Sequence, residues 1–148
     1  MSAYYTEVRL DMFISKFSTE NWQGNQNHGS IKEAINWTEI ETAIRELDGH
    51  RRTLVTLETD GETHMTIGGG ASKYLVYVTF DNENFSYLIN QIKSGNDETL
   101  VVGGQEGIYP GKWCVDLTIA LKVAKSFAEI GSIDKSVIWE RDEVAEAV

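Results

Sequence analysis

The chain has 148 residues, 41% of them hydrophobic and 24% charged, with 13 Lys+Arg against 23 Asp+Glu and a formal net charge of -10. That length suits one domain, which buries about 68–70% of the unfolded surface and needs neither metal nor disulfide to hold a core. The negative balance excludes nonspecific nucleic-acid binding and an anionic lipid surface, because phosphate is contacted by Lys and Arg. A basic partner is the class it leaves open.

Cys114 is the single cysteine, so no intramolecular disulfide can form, which points to a reducing compartment. Met1 to Leu10 carries Glu7 and Arg9 and lacks the apolar core of a signal peptide. The longest apolar run, Tyr74 to Val78, is far short of the ~20 residues that span a bilayer. The expectation is a cytoplasmic, soluble, single-domain protein over residues 1–148.

Val8, Leu10 and Met12 alternate with polar residues and predict a strand. Residues 15–30 are polar and read as a long, mobile loop, with a short helix inside it as the alternative. Trp37, Ile40, Ile44 and Leu47 recur at helical spacing behind the N-cap candidate Asn36, with Glu39 placed for a capping box and Asp48-Gly49 as the stop. Strands follow: Thr53 to Leu57, a hairpin turn at Asp60-Gly61, a return through Met65 and Ile67, and a break at Gly68-Gly69-Gly70. Tyr74 to Phe80 is apolar on both faces and belongs at the centre of the sheet, ending at the Asp81-Asn82 turn. Phe85 to Ile92 fits strand and helix spacing, with the strand favoured. Thr99 to Val102 is a short strand, and Gln105 to Gly111, with the only proline, reads as a loop. Asp116 caps a second helix with an apolar stripe from Leu117 to Ala128, ending at Gly131. Val137 to Trp139 is a last strand, followed by an acidic tail whose residues 141–148 are expected to be mobile. The fold class is α+β: a largely antiparallel sheet of about five or six strands with two main helices packed on one face.

The search for catalytic chemistry finds little. Cys114 lies two residues before the second helix, but no histidine is near it in sequence, and a buried small hydrophobe beside Trp113 is the simpler role. His28, His50 and His64 are scattered and form no metal-binding spacing. Gly68-Gly69-Gly70 with Lys73 fails the phosphate-loop pattern, because a strand follows instead of a helix. Gly103-Gly104 with Gly107 fails the dinucleotide pattern for the same reason, so packed or flexible turns suffice. The acidic pairs Asp81/Glu83 and Asp97/Glu98 carry no sign of converging in a cleft. Trp37 and Trp139 sit on apolar faces and belong to the core, whereas Trp22 and Trp113 are either loop anchors or contact residues. No enzyme, no cofactor and no metal is expected.

Three ordered blocks have a further meaning: Ile67 to Gly70 running into Tyr74 to Asn82; Leu100 to Gln105 through Tyr109-Pro110-Gly111-Lys112-Trp113-Cys114; and the Asp116 to Gly131 helix ending in Val137-Ile138-Trp139-Glu140. Their order and spacing, over roughly residues 37 to 140, resemble the first-numbered Imm family of immunity proteins of bacterial polymorphic-toxin systems. The resemblance implies a small α+β protein, encoded beside a toxin, that binds and blocks it. The toxins of such systems are often nucleic-acid deaminases, sometimes nucleases. The family supplies no catalytic motif and no fixed contact set. A toxin that acts on nucleic acid presents a basic groove, which the charge of this chain complements. Acidic residues at a rim with aromatics at its centre make Asp81, Glu83, Asn84, Glu106, Tyr109 and Trp113 the expected contacts. The alternative is a small ligand-binding domain or enzyme with a pocket under the glycine-rich loops. A general interaction module or homodimer using the sheet face is a third possibility.

Overall fold

The computed structural model describes residues 12–34, 36–91 and 95–142. In chain order the elements are β1 (Lys16–Thr19), β2 (Trp22–Gln23), β3 (Gln26–Asn27), β4 (Ile31–Glu33), α1 (Trp37–Arg45), β5 (Leu54–Glu58), β6 (His64–Gly70), β7 (Lys73–Thr79), β8 (Phe85–Ile89), β9 (Glu98–Val102), β10 (Gln105–Tyr109), a 3-10 turn (Gly111–Trp113), α2 (Leu117–Ile130) and β11 (Ile138–Arg141). Seven strands form one antiparallel sheet in the order β11-β8-β7-β6-β5-β1-β4. β9 with β10, and β2 with β3, form separate two-stranded ribbons.

The class is α+β as expected, but the sheet is larger than five or six strands. The added members are β1, from the segment expected to be a polar loop over 15–30, and β4 just after it; the same segment also carries the separate β2–β3 ribbon. Only Phe17 of β1 is buried, and every residue of β4 is exposed. Near the sheet's edge one buried side chain suffices, so no alternating pattern betrays the strand. The strand expected at Val8 to Met12 falls mostly outside the described residues, as do Ile92 and residues 143–148 of the tail.

Both helices form where their caps and stripes predict. The Asn36 side chain accepts the Glu39 N–H, and Asp116 accepts that of Ile119. α1 ends at Arg45, earlier than the expected stop. Asp48 instead organises the next loop, its carboxylate accepting the N–H groups of His50, Arg51 and Arg52. Gly131 closes α2 in the left-handed conformation, φ 69°. The helices bury Ile40, Ile44, Val123, Ala124 and Phe127 against Val55, Leu57, Met65, Ile67, Val76, Val78 and Leu88 of the sheet. Trp37 and Trp139 pack against this core, as expected.

The other face carries a second, smaller cluster of Leu75, Leu100 and Cys114, with Tyr77, Tyr87, Val102, Tyr109 and Trp113 packed around it. It exists because β9 and β10 fold back over the sheet. Residues 105–109, expected as loop, are thus a strand. Gly103 and Gly104, with φ 65° and 78°, make the tight turn before it. An ion pair of 2.5 Å between Lys73 and Glu98 ties the ribbon to β7.

The glycine tract of β6 is a crossing point. A Cβ on Gly68 would lie 2.7 Å from a Val102 methyl, and one on Gly70 would lie 2.5 Å from the Gly49 nitrogen. Gly70 has φ 130°, a backbone conformation closed to side chains. Gly70→Ala is therefore expected to cost about 2–4 kcal/mol through strain and overpacking. Gly61→Ala, where nothing lies within 4 Å, should stay within about 0.5 kcal/mol. Urea denaturation of both variants checks the contrast.

Candidate functional site

With the helices on one side, the opposite side of the sheet is organised in cross-strand rows. Glu58, His64, Thr79 and Phe85 form one row; Thr56, Thr66, Tyr77, Tyr87 and Glu140 form the next. Leu54, Gly68 and Leu75 form a third, which the β9–β10 ribbon covers through Leu100 and Val102.

Across the first two rows the rings make a continuous ladder. His64 meets Phe85 at 6.5 Å between centroids, Phe85 meets Tyr77 at 5.8 Å, and Tyr77 meets Tyr87 at 5.4 Å. Tyr87 stacks on Trp113 at 3.9 Å with 5° between planes. All five are half-buried, so each keeps part of its surface in water. Such offset and edge contacts are worth about 0.5–1.5 kcal/mol per pair beyond area burial.

Trp113 is fixed on a second side. Its Nε1 donates to Glu140 at 3.1 Å, and the Lys112 ammonium donates to the other carboxylate oxygen at 2.6 Å. The Lys112 hydrogen bond holds the Glu140 carboxyl below its ordinary value, outweighing the opposite push of burial. Burial and the neighbouring Asp142 carboxylate push the Tyr87 phenol up to about 12. Burial, with Tyr77 nearby, raises that of Tyr109 too. Both phenols are neutral hydroxyls at neutral pH.

The six expected contact residues fall in three places. Asp81, Glu83 and Asn84 form the β7–β8 turn, next to Phe85 at one end of the ladder. There the Asp81 carboxylate accepts the N–H groups of Asn84 at 2.8 Å and Glu83 at 2.9 Å, and the Asn84 side chain at 2.7 Å, which hold its pKa at about 2. Asn84 also accepts from Arg141 of β11. Asp81 and Asn84 thus shape the turn, while Glu83 is exposed. Tyr109 and Trp113 lie at the ladder's other end, in the second cluster. Glu106 stands apart: it is exposed on β10 opposite Val101, alternating with the inward Tyr109, and so faces away from the ladder. His64, Tyr77, Phe85, Tyr87 and Glu140 were not singled out from the sequence. The alternation of Phe85, Tyr87 and Ile89, matched by Tyr77 on the neighbouring strand, was the available signal.

The remaining candidates have local explanations. Cys114 is buried beside Leu75 and Leu100, in keeping with a packing role. Trp22 is a loop anchor: its ring fills the space over Gly104, and its Nε1 donates to Glu20, which also accepts from the buried Thr53. Among the described residues no group of three or more His, Cys, Asp or Glu could hold a metal ion, and no helix is long and apolar enough to cross a membrane. Of the hollows at the glycine-rich loops, one lined by Gly69, Gly70, Lys73 and Glu106 among others holds about 240 Å³, below the ~300–1,000 Å³ of small-molecule pockets, and one lined by Trp22, His50, Gly103 and Gly104 among others holds about 390 Å³, within that range. A wider groove of about 450 Å³ lies between α1 and the β1–β4 region, lined by Thr19, His28, Ser30, Lys32, Glu39 and Arg52 among others.

The three sequence blocks that carry the family resemblance meet here. β7 supplies Tyr77, the ribbon and 3-10 turn supply Tyr109 and Trp113, and β11 supplies Glu140, which holds Trp113 in place. The family model of immunity protein Imm1 matches residues 32–141. The chain belongs to the Imm1 family of immunity proteins. No curated protein and no solved structure matches it. Membership implies a cognate toxin as its partner. The match also takes in residues 32–36, ahead of the stretch that carries the resemblance.

The depressed carboxyls give this immunity protein a defined acid response. A carboxyl whose folded pKa is below its ordinary value stabilises the fold fully above that value and loses the effect as pH falls through the folded one. For Asp81 that window runs from 3.8 down to about 2. Asp81→Asn should therefore be less stable than the parent at pH 6, with the gap closing progressively below pH 4. Thermal melts across that range check it.

Proposed function

We propose that this immunity protein inhibits a toxin that acts on nucleic acid, a deaminase or a nuclease, by covering its active site or substrate groove. The observation that carries the reading is the charge of -10 combined with a rigid acidic turn at the end of a half-exposed aromatic face. A nucleic-acid enzyme must offer Lys and Arg to phosphate, and an acidic surface fits the same groove. The protein itself acts in the cytoplasm as a non-enzymatic inhibitor, without cofactor or metal. Asp81, Glu83, Asn84, Tyr109 and Trp113 are proposed contacts at the two ends of one face, and Glu106 is a proposed contact on the outer side of the ribbon.

An inhibitor that leaves almost no toxin free needs a Kd on the order of nanomolar or below, about -12 kcal/mol. Rim charges act chiefly on association, and buried aromatic anchors on dissociation. The experiment is co-expression of the tagged protein with the product of the adjacent reading frame, then an assay of the purified complex on DNA and RNA. A stoichiometric basic partner whose nucleic-acid activity is silenced is the expected result. An acidic partner, or one active on a substrate other than nucleic acid, would overturn the reading. Association should be faster than the ~10⁵–10⁶ M⁻¹s⁻¹ of neutral pairs at low salt and slow steeply as salt is added.

A further inference from the structure

Among the described residues, neither the helices nor the ribbon lie over the ladder rows of the open face, and their chemistry is specific. Its centre is the ladder of His64, Phe85, Tyr77, Tyr87 and Trp113. Around the ladder stand carboxylates: Glu58 in register with His64, Asp81 and Glu83 in the turn before Phe85, Glu140 in register with Tyr87, and Asp142 near the Tyr87 phenol. The cations at its margin are Lys16 in register with Glu58, Lys112 bound to Glu140, and Arg141 bound to Asn84.

We infer that the toxin docks on this face by laying an arginine-bearing loop along the aromatic ladder, with guanidinium groups stacked on the rings and bonded to the flanking carboxylates. The inference rests on the reading above that the toxin is basic. Arginine fits better than lysine for physical reasons. Its planar, weakly hydrated guanidinium stacks on aromatic faces and still points donors sideways at carboxylates. A lysine ammonium is compact and strongly hydrated, and loses more on leaving water. The surface is also set before binding. Asp81 pins its turn with three hydrogen bonds, and Trp113 is held by the Tyr87 ring and by Glu140. A prepared surface loses little entropy on docking. The helix layer offers no such set: its exposed positions mix Arg45, Lys122 and Lys125 with Glu39 and Glu46.

The test uses the complex with the catalytically inactivated toxin from the adjacent reading frame. Hydrogen exchange should show protection in β6, β7, β8 and the 81–84 turn of the immunity protein, and in one arginine-bearing loop of the toxin. Replacing the arginines of that loop by lysine keeps the charge and should weaken binding by about tenfold or more, mainly through faster dissociation. Glu83→Lys should slow association clearly more than Glu46→Lys, which makes the same charge change at the end of α1. His64→Ala, at an accessible end of the ladder, should speed dissociation while the variant still melts cooperatively. Protection confined to the helix layer or to the outer side of the ribbon, or arginine-to-lysine variants that bind as the parent does, would overturn this docking face while leaving the immunity function intact. A toxin that is not basic would remove the premise itself.

Discussion

Between Gly68 and Val102 there is no room for a Cβ, and the shape of the open face follows from that contact. It lets the β9–β10 ribbon lie directly on β6 and β7, where Leu100 and Val102 seal the row of Leu54, Gly68 and Leu75. The same ribbon delivers Tyr109 and, through Pro110 and the 3-10 turn, Trp113 to the neighbouring row. A larger residue at Gly68 would lift the ribbon, and with it the Trp113 end of the ladder. Gly68 and Gly70, in the tract that fails the phosphate-loop pattern, are packing positions.

The surface of the protein divides its labour in a way that follows from burial. On the helix side, aliphatic residues and alanines are removed from water almost completely, and this side holds most of the apolar core. On the open side the rings of the ladder are half-buried; the Trp113 nitrogen donates to Glu140, and the Asp81 carboxylate at the ladder's margin is held by its own turn. Such residues keep a rigid shape while leaving ring surface for a partner, which is the combination found at interface anchors. The net charge of -10 adds a long-range attraction to a basic partner, sensitive to salt and independent of detailed fit.

Much of the architecture was legible because its signals are local. Asn36 and Asp116 announce helix starts, Gly131 announces an end, and the apolar runs of β6 and β7 mark central strands. The elements that were not legible are those whose stability comes from distant neighbours. β1 buries a single phenylalanine, β4 buries nothing, and β10 exposes Gln105, Glu106 and Ile108. Each is a strand because a partner strand satisfies its backbone, and single-sequence patterning has no access to that partner. Among the expected contacts, Tyr109 and Trp113 do share a cluster, whereas Glu106 lies on the other side of β10 from Tyr109 by the parity of its place.

By itself the sequence determined the composition of the solution: an acidic α+β chain with two capped helices, a sheet built around two apolar strands, and three ordered blocks that match an immunity-protein family. Only the tertiary structure decided that residues as far apart as His64, Tyr87, Trp113 and Glu140 belong to one surface. Their proximity is set by strand register and by the fold-back of one ribbon. Both are agreements between segments remote in sequence, and a one-residue shift in either would send the same side chains to the opposite face.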